Sequence, residues 1–587
     1  MTTAERPSIQ VCAIDELSQK GHVVVKTADR PVVVFYNDGD VRAVDNRCPH
    51  LGFPLHRGTI KHGMITCHWH HARFDACSGG TFDLWADDVP AYDVDLRDGQ
   101  VYICDRPRRS DPKTYGAIRL RDGMEHNLSL VIAKAILTLE SADVDADAIV
   151  REAALFGAAG RDGWAMGLTI LSAMANLRPH LSPHTAYLAL LQGVRRTAAD
   201  CAGQTPHRRR GHLETADLDF DRLDRWLRYW TLVRHRDGAE RTLLTAIREA
   251  STPSQLESLL LAAATDRFYA DGGHLVDFVN KVFELLNHIG LDHAADVLPT
   301  LCAQLAAARG GEELNSWRHP IDLVPLVNRA ADRLSQVLSN SRPGAGWHGE
   351  VALAGVICGE DPQEILDGIV AAAEAGSRPE QLSKALAYAA ALRVARFGTA
   401  NEISDWVSAL HSFSYCNGLH QAIQRCAGIE PVCGVLHGAM SVYLNRFLNV
   451  PPAALPGEAG AEDGALDDLP SRREDILKAF LDALDSQQQV DPAGRLVTRY
   501  IEQSHPVPQL IDTLTFAAVR EDANFHTLQM LEAGVAQYHE WEGTAEGTHI
   551  LVAVARYLAA HSPTPRSQLQ TAQIARRLHR GEKVYED

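Results

Sequence analysis

Cys48-Pro49-His50-Leu51-Gly52 and, after sixteen residues that follow His50, Cys67-His68-Trp69-His70-His71 are the segments on which the reading of this chain turns. Together they offer two thiolates and two imidazoles, as a Cys-x-His loop and a Cys-x-x-His loop. A [2Fe–2S] cluster with two Cys on one iron and two His on the other uses this donor set. A Cys2His2 zinc site wants the same donors in one tetrahedron. Zinc fingers usually place Cys with Cys in one motif and His with His in the other. Here each loop carries one of each, which suits a cluster gripped by two hairpin loops.

The flanking sequence, from Ile9 to Cys104, has a strand pattern. Val23-Val24-Val25, Val32-Val33-Val34-Phe35 and Val41-Arg42-Ala43-Val44 are short apolar runs. Asn37-Asp38-Gly39 and Asp98-Gly99 between such runs predict hairpin turns. Val89–Val94 and Val101–Cys104 close the sheet. Arg106-Pro107-Arg108-Arg109-Ser110-Asp111-Pro112, rich in Pro and charge, ends the domain.

Residues 8–107 resemble a Rieske ferredoxin domain. The Cys-Pro-His-x-Gly pattern stands at Cys48–Gly52, and Cys67-x-Trp69-His70 is followed by Arg73-Phe74-Asp75 and a Ser78-Gly79-Gly80 turn. The resemblance implies a Rieske [2Fe–2S] cluster held by Cys48, His50, Cys67 and His70. His71 stands where the family usually has Gly and competes with His70 as a ligand; the spacing from Cys67 favours His70. Respiratory-chain Rieske proteins carry an additional disulfide-forming Cys in each loop, and Phe53 and Trp69 occupy those places here. The resemblance is therefore to the low-potential ferredoxin or oxygenase-associated type.

At 587 residues the chain is too long for one ordinary core. Its net charge of −18 argues against nucleic acid and anionic membranes as partners. The basic run His207-Arg208-Arg209-Arg210 reads as a solvated loop. Met1-Thr2-Thr3-Ala4-Glu5-Arg6-Pro7 lacks a charged-then-apolar signal pattern, and no apolar run reaches bilayer length; Leu128–Leu139 is interrupted by Lys134. Eleven cysteines scattered over this length do not make a disulfide scaffold. These features together predict a cytoplasmic protein.

Beyond about Leu128 apolar residues recur at helical spacing, punctuated by Gly, Pro and Asp. The acidic, Gly/Pro/Ala-rich stretch Pro451–Leu469 reads as a flexible loop. The helical region also repeats itself. Ser251-Thr252-Pro253-Ser254-Gln255-Leu256 is similar to Ser377-Arg378-Pro379-Glu380-Gln381-Leu382 and, more faintly, to Pro506-Val507-Pro508-Gln509-Leu510. An Ala-rich helix with an Arg (Arg267, Arg393, Arg520) follows each. A second apolar helix then begins near His274, Glu402 and His526. Such copies imply stacked helical hairpins enclosing an internal surface.

A Rieske cluster moves single electrons, so fusion to a large domain predicts a second, catalytic iron that the cluster reduces for O2 activation. The two-His, one-carboxylate triad of ordinary Rieske oxygenases, Asp-x-x-His-x-x-x-x-His, is not matched. Its nearest approach, His288–His293, has Leu285 where the Asp should be. Histidines at helix starts in apolar surroundings stand out instead. His184, His274, His348 and His437 are the candidate metal ligands, with Glu350 as a carboxylate partner; His180, His411, His420 and His526 are similar. Capping or surface roles compete for each. In the helix from His274 to Gly290 a 3.6-residue period aligns His274, Asp277, Lys281, Glu284 and His288. That stripe faces water or, if the helix is buried all round, lines a polar cavity.

His180-Leu181-Ser182-Pro183-His184, the Gly-rich approach to His348 and His274-Leu275-Val276-Asp277-Phe278 resemble elements of questin-oxidase-like proteins. That resemblance implies a helical non-heme iron enzyme acting with O2 on aromatic rings. In part of that group several His and a carboxylated Lys hold the iron. Here His274 stands near the place of that Lys, and the fused Rieske domain is no part of the usual pattern. Lys281 and Lys384 lie in apolar helices and are candidates for the modified Lys, against the simpler reading of ordinary lysines.

The expectation is a multidomain protein: a small all-β Rieske domain at 8–107, a linker at 108–127, and a large all-α, repeat-built catalytic domain at 128–587 with a flexible loop at 451–469. As an oxygenase it would take electrons from a ferredoxin or flavin reductase, since no Gly-x-Gly-x-x-Gly follows a strand, and act with O2 on an apolar, aromatic small molecule. The organisation is compatible with a homo-oligomer. The rivals are an electron carrier or redox sensor with a helical docking scaffold and no second metal, and a non-redox metal hydrolase regulated by the cluster.

Overall fold

Valine runs and Asp-Gly turns build the N-terminal sheets. Strands β1 (Ser8–Ala13), β2 (His22–Lys26), β3 (Pro31–Asn37), β4 (Asp40–Asp45), β5 (Thr59–Lys61), β6 (Met64–Thr66), β7 (Arg73–Asp75), β8 (Ala91–Tyr92), β9 (Val94–Arg97) and β10 (Gln100–Cys104) form three sheets, ordered β1-β10-β9, β2-β3-β4-β8 and β5-β6-β7, all antiparallel. The β3–β4 and β9–β10 hairpins turn at Asp38-Gly39 and Asp98-Gly99, all four residues with positive φ, as two-residue turns of matching twist require. Val32 and Val34 point into one core, and Val33 and Phe35 into a second that also holds Cys48, Cys67 and Phe74. The structure, a computed structural model, describes residues 8–27, 30–108, 111–214, 219–249, 251–340, 346–426, 430–458, 466–582 and 584. Residues 459–465 of the expected loop at 451–469, and Arg109 and Ser110 of the expected linker, lie outside the described residues.

The chain divides into two units, one formed by residues up to Ile149 together with Ser567–Asp587, the other by Val150–Arg566. The first unit is therefore larger than the strands alone, and most of the expected linker is helix. Asp111 caps the helix Pro112–Glu125, its carboxylate accepting from the Thr114 amide at 3.0 Å, and Pro112 opens the first turn where no amide donor is needed. Arg119 on that helix is buried, paired with Asp87 at 3.2 Å and donating to the carbonyls of Leu84 and Ala86. The helix Ser129–Ser141 packs on Pro112–Glu125 and on the C-terminal helix Ser567–His579. Past that last helix, Arg47 donates to the Gly581 carbonyl, fixing the chain beside the first cysteine loop.

Among its described residues the second unit has helices and connecting loops and no strand. The three similar segments are pairs of packed helices: Pro253–Thr265 with His274–Ile289, Pro379–Ala395 with Ile403–Arg425, and Val507–Val519 with Phe525–Glu540. Each first helix starts at or one residue after Pro253, Pro379 or Pro506, and Thr252-x-x-Gln255 makes a reciprocal capping box. The second helices pack on one another, His274–Ile289 on Ile403–Arg425 and that helix on Phe525–Glu540. The helix His274–Ile289 is buried nearly all round, with Asp277 and Lys281 each 1% exposed. Its polar stripe therefore faces the interior rather than water. The basic run 207–210 is neutralised rather than free: His207 faces Asp162 and Glu240, and Arg209 pairs with Asp296. No helix among the described residues is long and apolar enough to cross a membrane.

Candidate redox centres

The two cysteine loops repeat one backbone device. The Gly52 amide donates to the Cys48 carbonyl at 2.7 Å and the His71 amide to the Cys67 carbonyl at 2.9 Å, each closing a turn with its last residue at positive φ, 86° for Gly52 and 63° for His71. The Cys48 amide donates to Phe53 and the Cys67 amide to Ala72, both at 2.8 Å. Both cysteines are buried, their thiols within hydrogen-bonding reach of each other. Cys67 is pulled down to about 6 by that shared hydrogen bond, with the Trp69 and His70 amides helping; Cys48 is pushed up by the same bond and by burial. The imidazoles of His50 and His70 meet edge to face at 4.8 Å. His50 leans on Trp85 and leaves a buried Nδ1 without a partner in the protein, while His70 is exposed. His71 is also exposed, and it is His70 that faces His50. Paired thiols on one side, paired imidazoles on the other and amides aimed at sulfur fit a [2Fe–2S] cluster better than a tetrahedral zinc site. Phe53 and Trp69 pack at 6.1 Å between ring centroids.

The sequence profile of the Rieske [2Fe–2S] domain matches residues 8–92. The 3-phenylpropionate/cinnamic acid dioxygenase ferredoxin subunit of Photorhabdus laumondii is 33% identical over 96 residues, 16% of this chain and 90% of that protein. The chain belongs to the Rieske [2Fe–2S] family. The human Rieske domain-containing protein is 34% identical over 79 residues, 13% of this chain and 50% of that protein. Human apoptosis-inducing factor 3 is 28% identical over 94 residues, 16% of either. The chain thus spans half or less of these two human relatives. Among solved structures, the ferredoxin of carbazole 1,9a-dioxygenase from Nocardioides aromaticivorans is 25% identical, covering 17% of this chain and 98% of that one with a TM-score of 0.16. The Rieske domain carries a Rieske-type cluster and transfers electrons, with Cys48, His50, Cys67 and His70 the residues able to hold it. The matched residues 8–92 leave the helical unit outside.

In that unit the four histidines singled out by sequence do not converge. His184, at the start of the helix Pro183–Cys201, lies 5.7 Å from the Phe516 ring. His348 is exposed in the loop before the helix Glu350–Ile357, and Glu350 accepts from Gln381 at 2.8 Å. His437 is buried against Phe268 at 4.6 Å, and burial drives it down to about 3. His274 instead meets His411 and His526, with ligating nitrogens all within 4.8 Å of one another. Among the described residues this is the one group of three or more such donors so close. A helix-start position told neither which histidines face inward, since His348 is exposed and His437 buried, nor which helices meet. The usable signal was the repeat, because the second helix of each copy supplies one of the three.

His411 Nε2 and His526 Nε2 face each other at 2.9 Å, and the His274 ring stands edge-on to His411 at 4.4 Å. Two nitrogens bound cis to one metal at about 2.1 Å lie about 3 Å apart, so this pair already has a chelating separation. Burial lowers all three imidazoles, His411 to about 3 and His526 to about 4, which keeps them in the neutral form that binds metal. Phe278 and Phe525 flank His274, at 5.5 and 5.9 Å. The chain enters His274 through strained backbone: Tyr269, Asp271, Gly272 and Gly273 all have positive φ. A Cβ on Gly273 would lie 2.8 Å from the Tyr269 ring, so only glycine allows this turn. Non-glycine residues held in the left-handed region cost energy and cluster at functional sites. Lys281 is no free amine: Glu284 and Glu532 hold it charged, above its ordinary range. Lys384 donates to the Glu540 carbonyl.

Proposed function

We propose that this chain is a Rieske-fused oxygenase in which the cluster delivers electrons to an iron held by His274, His411 and His526. The observation that carries the reading is the meeting of three neutral imidazoles, one from each similar helix pair, inside a chain that also holds an electron-transfer cluster. Iron bound there would supply O2 activation, and a Rieske cluster would supply electrons one at a time. Cys48, His50, Cys67 and His70 hold the cluster, with the exposed His70 as its contact with solvent and electron donor. The donor is a ferredoxin or flavin reductase; the Photorhabdus relative's name places it in a dioxygenase system.

A cavity of about 500 Å³ supports an apolar small-molecule substrate. Ile403, Trp406, Asn524, Thr527, Pro563 and His561 contribute to its lining. Asn524 and Thr527 bracket His526 in sequence, and burial lowers His561 as it does His526. The volume lies in the range that encloses a drug-sized ligand. None of the three histidines lines this cavity itself, nor a larger one of about 630 Å³ among Trp226, Trp230 and Arg241, which has no lining residue beside them in sequence.

The test is O2 uptake by the reductase-driven protein. Wild type consumes O2 and His411→Ala does not, while the cluster's electron paramagnetic resonance signal persists in both. O2 uptake undiminished in His411→Ala, or none in the iron-reconstituted wild type, returns the chain to the electron-carrier reading.

A further inference from the structure

We infer that the buried row Asp277, Lys281, Glu284 and Glu532 conducts protons between the surface cavity at His180 and His539 and the three-histidine centre. The inference rests on the oxygenase reading. Insertion of one oxygen atom of O2 into a C–H bond, with the other released as water, consumes two electrons and two protons. The reductase supplies the electrons through the cluster. The three histidines are each half-buried, so solvent can reach them directly, and the row adds a route through the helical core, where ionised groups are ordinarily excluded.

The row runs along the helices that carry the centre. Asp277 stands one turn beyond His274 and Gln529 one turn beyond His526, and the Gln529 amide donates to Asp277 Oδ2. Lys281 follows one turn after Asp277 and donates to Glu284 at 2.7 Å and to Glu532 at 2.5 Å. Asn176 bridges the two glutamates, donating to Glu284 Oε2 at 2.7 Å and to Glu532 Oε1 at 2.8 Å. Glu284, Glu532 and Asn176 in turn line a cavity of about 280 Å³ together with His180 and His539, whose ring centroids lie 4.9 Å apart. Other polar groups lie against the row: Asn280 donates to Glu284 at 2.8 Å, Arg425, paired to Glu257 at 2.6 Å, donates to Asn280, and His288 Nε2 lies 3.0 Å from Asn176 Oδ1.

Three buried carboxylates around one lysine are costly unless they do something, since an apolar packing of equal volume is often no less stable. Their proton affinities are staggered. Asp277 is raised to about 7 and Glu532 is raised, both chiefly by burial, whereas the Lys281 charge draws Glu284 down. Asp277, poised near neutrality, can accept and release a proton at the working pH. Gln529 Oε1 and His274 Nδ1, both buried at the inner end, have no partner within the protein and are the kind of atom an internal water satisfies.

One readout needs no iron. The C=O stretch of the protonated Asp277 carboxyl, assigned by its loss in Asp277→Asn, shifts when the protein is transferred to D2O. The path predicts prompt exchange in wild type and at least about tenfold slower exchange in Glu532→Gln. Asn176→Leu, which keeps every charge, slows it likewise should Glu532→Gln fold poorly. A second readout is O2 uptake by the iron-loaded, reductase-driven protein, expected to fall roughly 10- to 100-fold in Glu532→Gln with unchanged iron content and a larger solvent isotope effect. Equal exchange rates in wild type and both variants overturn the path even where O2 uptake stands. Exchange that depends on Glu532 in a wild type that consumes no O2 upholds the conduit and removes the oxygenase reading instead.

Discussion

His71 and Lys134 show how single side chains tune the cluster loops. His71 occupies at φ 63° the position that Gly52 occupies in the other loop at φ 86°, and a side chain there costs about 1 kcal/mol. His71→Gly is therefore expected to leave the cluster's spectrum unchanged and to raise stability toward denaturant by about 1 kcal/mol. Loss of the cluster signal in that variant would mean that His71, not His70, binds. Lys134 reaches the same loops from outside the matched strands. Its ammonium donates to the Pro49 carbonyl at 3.1 Å, between Cys48 and His50, and pairs with Asp87. A positive charge there favours the reduced cluster. Lys134→Met is expected to lower the midpoint potential by roughly 40 mV, the equivalent of about 1 kcal/mol for one electron. A protein-film titration showing no shift would place the charge out of range.

At the scale of the element, the helix His274–Ile289 joins the histidine centre to the buried carboxylates. Asp277 carries an ordinary value of 3.8 when unfolded and about 7 when folded. The folded state binds that proton more tightly, so the stability this group contributes is complete below about pH 3.8 and is lost as pH rises through about 7. The difference is on the order of 4 kcal/mol at most. Asp277→Asn should remove this part of the decline, giving a flatter stability profile between pH 4 and 7 in chemical denaturation; an unchanged slope would mean Asp277 stays ionised throughout. The stripe His274, Asp277, Lys281, Glu284 was visible in the 3.6-residue period, but its direction was not, because periodicity locates a face and not what covers it. Similarly, the Cys48–His71 loops could be read from spacing because all four donors lie within two short segments. The second centre draws His274, His411 and His526 from three helices far apart in sequence. His411 sits two turns into its helix rather than at its start, and the sequence reading named it and His526 as similar while preferring His184, His348 and His437. The helix Pro112–Glu125 was taken for a linker because its Pro and charges mark a cap as readily as a break.

Across the whole molecule, the cluster loops belong to the first unit and the three histidines of the proposed iron centre to the second. Metal loss at one centre should therefore leave the other intact. Cys48→Ser is expected to lose acid-labile sulfide while keeping the iron of the helical unit, and His411→Ala to do the reverse. The most direct test of a second metal is iron and acid-labile sulfide per chain in anaerobically prepared, iron-reconstituted protein. A Rieske cluster alone gives iron equal to sulfide. The three-histidine centre predicts iron in excess by about one ion per chain, an excess that survives in Cys48→Ser and disappears in His411→Ala. Iron equal to sulfide in wild type, with no other metal retained, would contradict a catalytic metal and leave the Rieske domain as the chain's one redox centre.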